Sequence, residues 1–209
     1  MGIAFDPARR SLLIAASSAA AMGGLGGICG RLGAAEAWQR PGGLVPPGEW
    51  WAGGGPRTAP SSVQIADAAE LGERLILSGR LVDRHERPLP DVTVYVYQTD
   101  AQGLYHLEGR QSDGPRIRGW ARTDAHGRYE FATIRPAHYP GRRVPEHIHM
   151  TVSSDSMREW WLPEVRFEGD RFITPDEYER SRRDGPYGNV RRLERGTDEA
   201  LRCHRNVRL

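Results

Sequence analysis

The chain has 209 residues, enough to bury one substantial core without covalent staples, and one domain with short extensions is the simplest division of that length. All 29 basic residues are arginine, and against 27 Asp and Glu they leave a formal charge of only +2 with no polybasic block, which excludes a general nucleic-acid binder. Only Cys29 and Cys203 occur, far apart and without histidines at zinc-finger spacing; this excludes a disulfide framework or a cysteine-based zinc or haem site, and leaves oxygen and imidazole to hold any metal.

Arg9-Arg10 precede twenty uncharged residues, Ser11 to Gly30, rich in Ala, Gly and Ser, and Ala35-Glu36-Ala37 has the small-x-small form of a cleavage site. Residues 1–37 therefore read as an export signal. The arginine pair resembles a twin-arginine signal, a route for already folded proteins, so the expected location is periplasmic or extracellular. The alternative is a retained anchor, since twenty residues can just span a bilayer, although this run is only weakly apolar. Cleavage leaves a net charge of +1 and Cys203 alone. Residues 38–70 contain Pro-Gly-Gly, Val-Pro-Pro-Gly and Gly-Gly-Gly-Pro without helical or strand period, and are expected to form an extended arm lying over something larger. Residues 71–209 remain as a single domain.

From Leu75 the pattern is that of strands. Leu75 to Val82 is one, Asp83 to Pro90 a turn-rich connection, and Val92 to Gln98 a second strand with Val92, Val94 and Val96 on one face and Thr93, Tyr95 and Tyr97 on the other. Arg118 to Thr123 and Tyr129 to Ile134 flank the turn Asp124-Ala-His-Gly127 and are expected to pair as a hairpin. His147 to Ser153 is a further strand, with Ile148, Met150 and Val152 toward the core. Thr174-Pro175-Asp176-Glu177 supplies an N-cap, a proline at the first helical position and a glutamate three residues after the cap, so a short helix starts there and ends near Asp184-Gly185. Leu201 to Leu209 is expected to return as a last, edge strand. Short strands, frequent turns and almost no helix give an all-β fold, a β-sandwich with an extended N-terminal arm and a short C-terminal helix.

In the strand holding His147-Ile148-His149 the two imidazoles project from one face, a geometry that can clamp a metal but that also suits a structural pair. Tyr139 stands eight residues before His147, and Tyr105 follows Gly103; either alone reads equally as a packing residue. Together, two phenolates and two neutral imidazoles make a hard, anionic donor set that favours iron(III) over iron(II).

Several motifs then follow in order: Ser78-Gly-Arg-Leu-Val-Asp83 with Pro88-Leu-Pro90, Asp100-Ala-Gln-Gly-Leu-Tyr105, Arg118-Gly-Trp-Ala-Arg-Thr-Asp124, Gly127-Arg-Tyr-Glu-Phe131, Thr133-Ile-Arg-Pro136, Tyr139-Pro-Gly-Arg142 and His147-Ile-His149. With these the chain, from about Leu75 to Gly169, resembles the intradiol ring-cleavage dioxygenases, and among them the exported single-domain relatives of protocatechuate dioxygenase. The resemblance implies one non-haem Fe(III) per chain held by Tyr105, Tyr139, His147 and His149, with Tyr139 and His149 axial and Tyr105 and His147 equatorial. It also implies a small catechol and O2 as reactants, ring opening between the two hydroxyl-bearing carbons to a muconate-type diacid, and Tyr139 as a displaceable ligand that accepts a proton. The arm of residues 38–70 is a candidate for joining two subunits.

The chain departs from that pattern twice. The arginine usual three residues before the first ligand histidine is replaced by Val144, which leaves Arg143 as the candidate for stabilising charge on the substrate and Arg142 as the lesser one. Glu164 stands where a glutamine is frequent, which would place a carboxylate toward substrate. Iron binding with altered or lost ring cleavage is therefore one alternative; a metal-free transthyretin-like or carboxypeptidase-regulatory sandwich acting as a binding module is the other. Asp124 and Gly127 read as turn chemistry, Arg118 as packing or an ion pair, and His85, His106 and His126 as solvated. His138 reads as either a surface residue or a support for the site. Trp120, Trp160 and Trp161 read as core, with an aromatic substrate pocket as the alternative; Trp50-Trp51 in the arm are candidates for covering the site or a partner.

Overall fold

The computed structural model describes residues 56, 58–106 and 115–209. The expected export signal, and the arm through residue 55, lie outside them. Within the described residues the domain is two facing sheets of six strands each.

The first sheet runs in the order β1 (Ser62–Gln64), β5 (Arg128–Ile134), β2 (Arg74–Val82), β11 (Leu201–His204), β10 (Leu193–Arg195), with β12 (Val207–Arg208) also paired to β2. The second runs β4 (Ile117–Arg122), β3 (Thr93–Gln98), β6 (His147–Ser154), β8 (Val165–Phe167), β9 (Val190–Arg191), with β7 (Met157–Trp161) paired to β6. Alternation along each strand decides what lies between them. Leu75, Leu77, Leu81, Phe131 and Ile134 from the first sheet meet Val94, Val96, Ile148, Met150 and Val152 from the second, all at most 1% exposed. Each such aliphatic or aromatic side chain contributes about 1.5–3 kcal/mol by leaving water, so this interlayer carries the stability on which the site rests.

Three expectations change. The strands around Asp124 do not pair with each other: β4 pairs β3 and β5 pairs β2, so the chain crosses from one sheet to the other. The turn itself forms as expected. Asp124 Oδ1 accepts from the backbone of His126 and Arg128, both at 2.8 Å, and Gly127 sits at φ +72° where a Cβ would strike the Leu81 carbonyl. Both flanking strands carry an apolar inner face, and placing them in opposite sheets lets both faces meet the core. Next, Leu201–His204 is not an edge strand, because it lies between β2 and β10. Finally, the arm contains a strand that its sequence does not signal: its end forms β1, parallel to β5, and buries Val63, Ile65 and Ala66.

Helix α1 (Pro175–Arg183) forms as its capping signal dictates, with Thr174 and Glu177 making a reciprocal capping box and Asp184 as C-cap. It is nine residues long, and among the described residues no helix is long and apolar enough to cross a membrane.

Candidate metal centre

The two histidines come from β6, where Ile148 is fully buried on one face and His147 and His149 leave from the other. His147 is buried, and its Nδ1 lies 2.7 Å from the carbonyl oxygen of Pro145. A carbonyl can only accept, so Nδ1 carries the proton and Nε2 presents its lone pair. His149 Nδ1 lies 3.3 Å from Glu164 Oε1, which likewise turns Nε2 inward.

The tyrosines arrive on two loops that are tied to each other. Asp100, buried at the exit of β3, accepts from Gln102 N and Leu104 N at 2.9 Å each, and its carbonyl accepts from Ala137 N at 3.0 Å. Gly103, at φ +78°, lies so close to the His138 carbonyl that any Cβ would collide with it. A glycine is therefore required where the Tyr105 loop presses on the segment that carries Tyr139.

Four donor atoms converge as a result. Tyr105 Oη is 2.5 Å from Tyr139 Oη and 2.9 Å from His149 Nε2. Tyr139 Oη is 2.9 Å from His147 Nε2, the two imidazole Nε2 atoms are 3.1 Å apart, and Tyr139 Oη to His149 Nε2 is the longest of these contacts at 3.5 Å. Donors bound at about 2 Å to one ion stand about 3 Å from their neighbours, which is the spacing seen.

The electrostatics of the cluster also fit a cation. Burial raises the pKa of both phenols; for Tyr105 the hydrogen bond to Tyr139 adds to the rise, whereas for Tyr139 the same contact works against it. Burial, followed by the charge of His147, pushes His149 down to about 4, so its imidazole is neutral at physiological pH. Neutral imidazoles are the ligand form, and a trivalent ion at the centre would supply the field needed to ionise phenols that the protein alone keeps protonated. The donor set therefore fits Fe(III).

Glu164 is partly exposed, and both of its carboxylate oxygens have partners. One oxygen is at His149 and the other accepts from Arg166 NH2 at 2.9 Å, while Arg166 NH1 also bonds Glu177 of the capping box. Burial works to raise the Glu164 carboxyl, but the Arg166 hydrogen bond and the two nearby histidines outweigh it and hold it below the usual carboxylate range. Arg143 is exposed, and its contact is with Phe172, whose ring centroid is 5.9 Å from the guanidinium carbon. The arginine whose charge acts on the Tyr139 phenol is Arg142.

Of the aromatic residues, Trp120 is core, stacked on Tyr95 at 4.9 Å. Trp160 and Trp161 are not: they are 62% and 59% exposed, because β7 pairs only with β6 and, although Met157 at its start packs against the core, its far end is left uncovered. Trp161 meets Tyr97 edge-on at 6.4 Å, and Tyr97 in turn stacks on His149. The sequence pattern places Tyr97 on the face of its strand opposite Val92, Val94 and Val96 and no more; its antiparallel register opposite His149 is what brings it to the site. His138 is partly buried, and its Nε2 lies 2.9 Å from Asp170 Oδ2. Arg118 is buried, donating to the Pro115 carbonyl.

Comparison with known proteins places these features. The model of a family described as Dioxygenase matches residues 54–209, well beyond the motifs that carry the resemblance. The protocatechuate 3,4-dioxygenase beta chain of Burkholderia cepacia is 32% identical over 122 residues, covering 54% of this chain and 52% of the relative. Catechol 1,2-dioxygenase 2 of Acinetobacter lwoffii is 26% identical over 171 residues, covering 68% and 61%. The chain thus spans about half to three-fifths of the length of these relatives. In fold it is similar to catechol 1,2-dioxygenase from Pseudomonas arvilla C-1, with TM-score 0.60 and 22% identity over 79% of this chain and 61% of that one. It is similar also to the dioxygenase domain of a carbohydrate-binding fusion protein from Streptomyces sp. SirexAA-E, with TM-score 0.55 and 21% identity over 81% and 98%.

Proposed function

This chain belongs to the intradiol ring-cleavage dioxygenase family, and from that premise we propose that it is an exported, ferric-iron enzyme that cleaves a small catechol with O2 to a muconate-type diacid. The observation that carries the reading is the convergence of Tyr105, Tyr139, His147 and His149 on one point, with oxygen and nitrogen donors 2.5–3.5 Å apart. Family membership favours this reading over a metal-free sandwich module.

Fe(III) held there would supply Lewis acidity and a template for both oxygens of the diol. The chain supplies the rest. Tyr139, whose segment runs on into the exposed residues Pro140 to Arg143, is the phenol whose Oη, as phenolate, would accept a proton from an incoming diol. His147 and His149 are oriented by the Pro145 carbonyl and Glu164, which would hold their Nε2 atoms toward the ion. Tyr97 and Trp161 form an aromatic wall beside His149, suited to a planar ring. Arg142 is the cation placed to favour negative charge at Tyr139 Oη.

The test is oxygen uptake by the iron-loaded chain with catechol and with protocatechuate. One O2 consumed per ring, with both atoms in the diacid, supports the reading. A second reading, iron bound without ring cleavage, is favoured by Val144 at the usual arginine position and by the contact of Arg143 with Phe172. It predicts a diol-induced colour change with no oxygen uptake. Export rests on Arg9-Arg10 and the uncharged run after them; replacing both arginines by lysine should retain the protein in the cytoplasm, and continued export would contradict that route.

A further inference from the structure

One buried carboxylate is bonded to the residues that precede two of the four donors. Asp170, its side chain 1% exposed, follows β8 in Glu168-Gly169-Asp170. Its Oδ2 accepts from His138 Nε2 at 2.9 Å and from the backbone N–H of Glu146 at 2.7 Å, and its Oδ1 accepts from Phe172 N at 2.8 Å. His138 is the neighbour of Tyr139, and Glu146 is the neighbour of His147.

The stretch between those donors has little else to fix it. Residues 140–146 form no strand, and Pro140, Gly141, Arg142 and Arg143 are exposed. The cross-tie through Asp170 is braced on both sides. Glu146 Oε2 accepts from Arg135 Nε at 2.7 Å, its Oε1 is 3.8 Å from His138 Nδ1, and the His138 ring meets Phe172 edge-on at 5.0 Å. An ionised carboxylate only accepts, and a buried one is costly without donors, so each of these bonds is expensive to break. Hydrogen bonds to a charged group are about twice as strong as neutral ones, so a carboxylate that accepts from both segments ties them together.

We propose that Asp170 is a positioning residue: through His138 and the Glu146 backbone it holds the Tyr139 segment against the start of β6 and so sets the separation of Tyr139 Oη and His147 Nε2. The proposal rests on the reading that these two residues bind Fe(III). It gives His138 a role that its position beside a donor alone does not settle. It also ties down the residue before Tyr139, while Pro140 to Arg143 after it stay exposed.

The test compares the full chain with His138→Ala, His138→Gln and Asp170→Asn. Two measurements are made: amide hydrogen exchange over residues 137–149 without metal, and release of Fe(III) to a chelator followed by the visible band of the loaded protein. His138→Ala, a change at a partly exposed residue that should still fold, is expected to speed exchange in both segments. It should also speed iron release about 10- to 100-fold, the usual effect of losing such support. His138→Gln, whose amide can donate from nearly the place of Nε2, should restore most of both. Unchanged exchange in His138→Ala and Asp170→Asn overturns the clamp. Faster exchange with wild-type iron release and an unaltered band overturns the positioning role, leaving a loop anchor. A wild-type chain that takes up no Fe(III) contradicts the ligand assignment itself, while exchange still decides whether Asp170 joins the two segments.

Discussion

The phenol ring of Tyr97 lies nearly parallel on the imidazole of His149, with centroids 4.3 Å apart and 16° between planes. β3 and β6 are antiparallel with these two residues directly opposite, so the register that buries Val96 against the core also lays Tyr97 on a metal donor. Tyr97→Ala is expected to lower stability by about 1–2 kcal/mol, less than a fully buried aromatic would cost because the ring is only partly covered. Tyr97→Phe keeps the stack and should be close to neutral. Thermal unfolding of the two variants checks this.

Tyr105 and Tyr139 are the two phenols of the proposed Fe(III) site, where each bound phenolate would add charge-transfer absorption. Tyr139→Phe should retain iron through three remaining donors, lose about half of the visible band, and slow diol entry because the displaceable proton acceptor is gone. Titration with Fe(III) followed by absorption spectroscopy measures both iron retention and band intensity. An unchanged band would remove Tyr139 from the ligand set.

Glu164 brings a negative charge to 3.3 Å from His149 Nδ1, which favours the higher oxidation state of a metal on Nε2. In Glu164→Gln that charge is removed while a polar group of the same shape remains, so the reduction potential of the iron should rise and iron binding should weaken by less than about tenfold. Spectroelectrochemistry of the two proteins tests the sign. A lower potential in the variant would contradict this role.

Burial pushes the Cys203 thiol up to about 12 from an ordinary 9.0. The folded state keeps a proton that the unfolded chain releases, so this contribution to stability is intact below about pH 9 and is lost as pH rises toward 12. The buried phenols of Tyr95 and Tyr129 shift in the same direction for the same reason. By pH 10 the loss at Cys203 should be roughly 1–2 kcal/mol. Denaturant unfolding at pH 8 and pH 10 should therefore show a smaller pH-dependent decline in Cys203→Ala than in the wild type.

Much of this was legible from residue patterns. Alternation in Leu75 to Val82, Val92 to Gln98 and His147 to Ser153 located three central strands and their inner faces, because the two-residue period is written directly in side-chain type. Thr174-Pro175-Asp176-Glu177 fixed the helix start because a capping box is local chemistry. Pairing is not local, and there expectation failed. The turn at Asp124 looks the same whether its strands pair or part, and Leu201 to His204 has nothing in its own sequence that sets it between β2 and β10. The four residues that converge were singled out by type and family resemblance, whereas the groups bonded to them gave little signal. Glu164 stood out only as a replacement for glutamine, and Asp170 gave no signal, since its partners at His138 and Glu146 are 32 and 24 residues away. Trp160 and Trp161 misled because large aromatic residues usually seek cover, and an edge strand gave them none.

The most direct test of the ferric site is the visible absorption spectrum of the protein purified with Fe(III), then mixed anaerobically with catechol and with protocatechuate before air is admitted. Two tyrosinates on Fe(III) predict a coloured protein whose band shifts with one of the diols and changes again when oxygen enters. A protein that takes up no Fe(III) and stays colourless would contradict the assignment of Tyr105, Tyr139, His147 and His149 as its ligands.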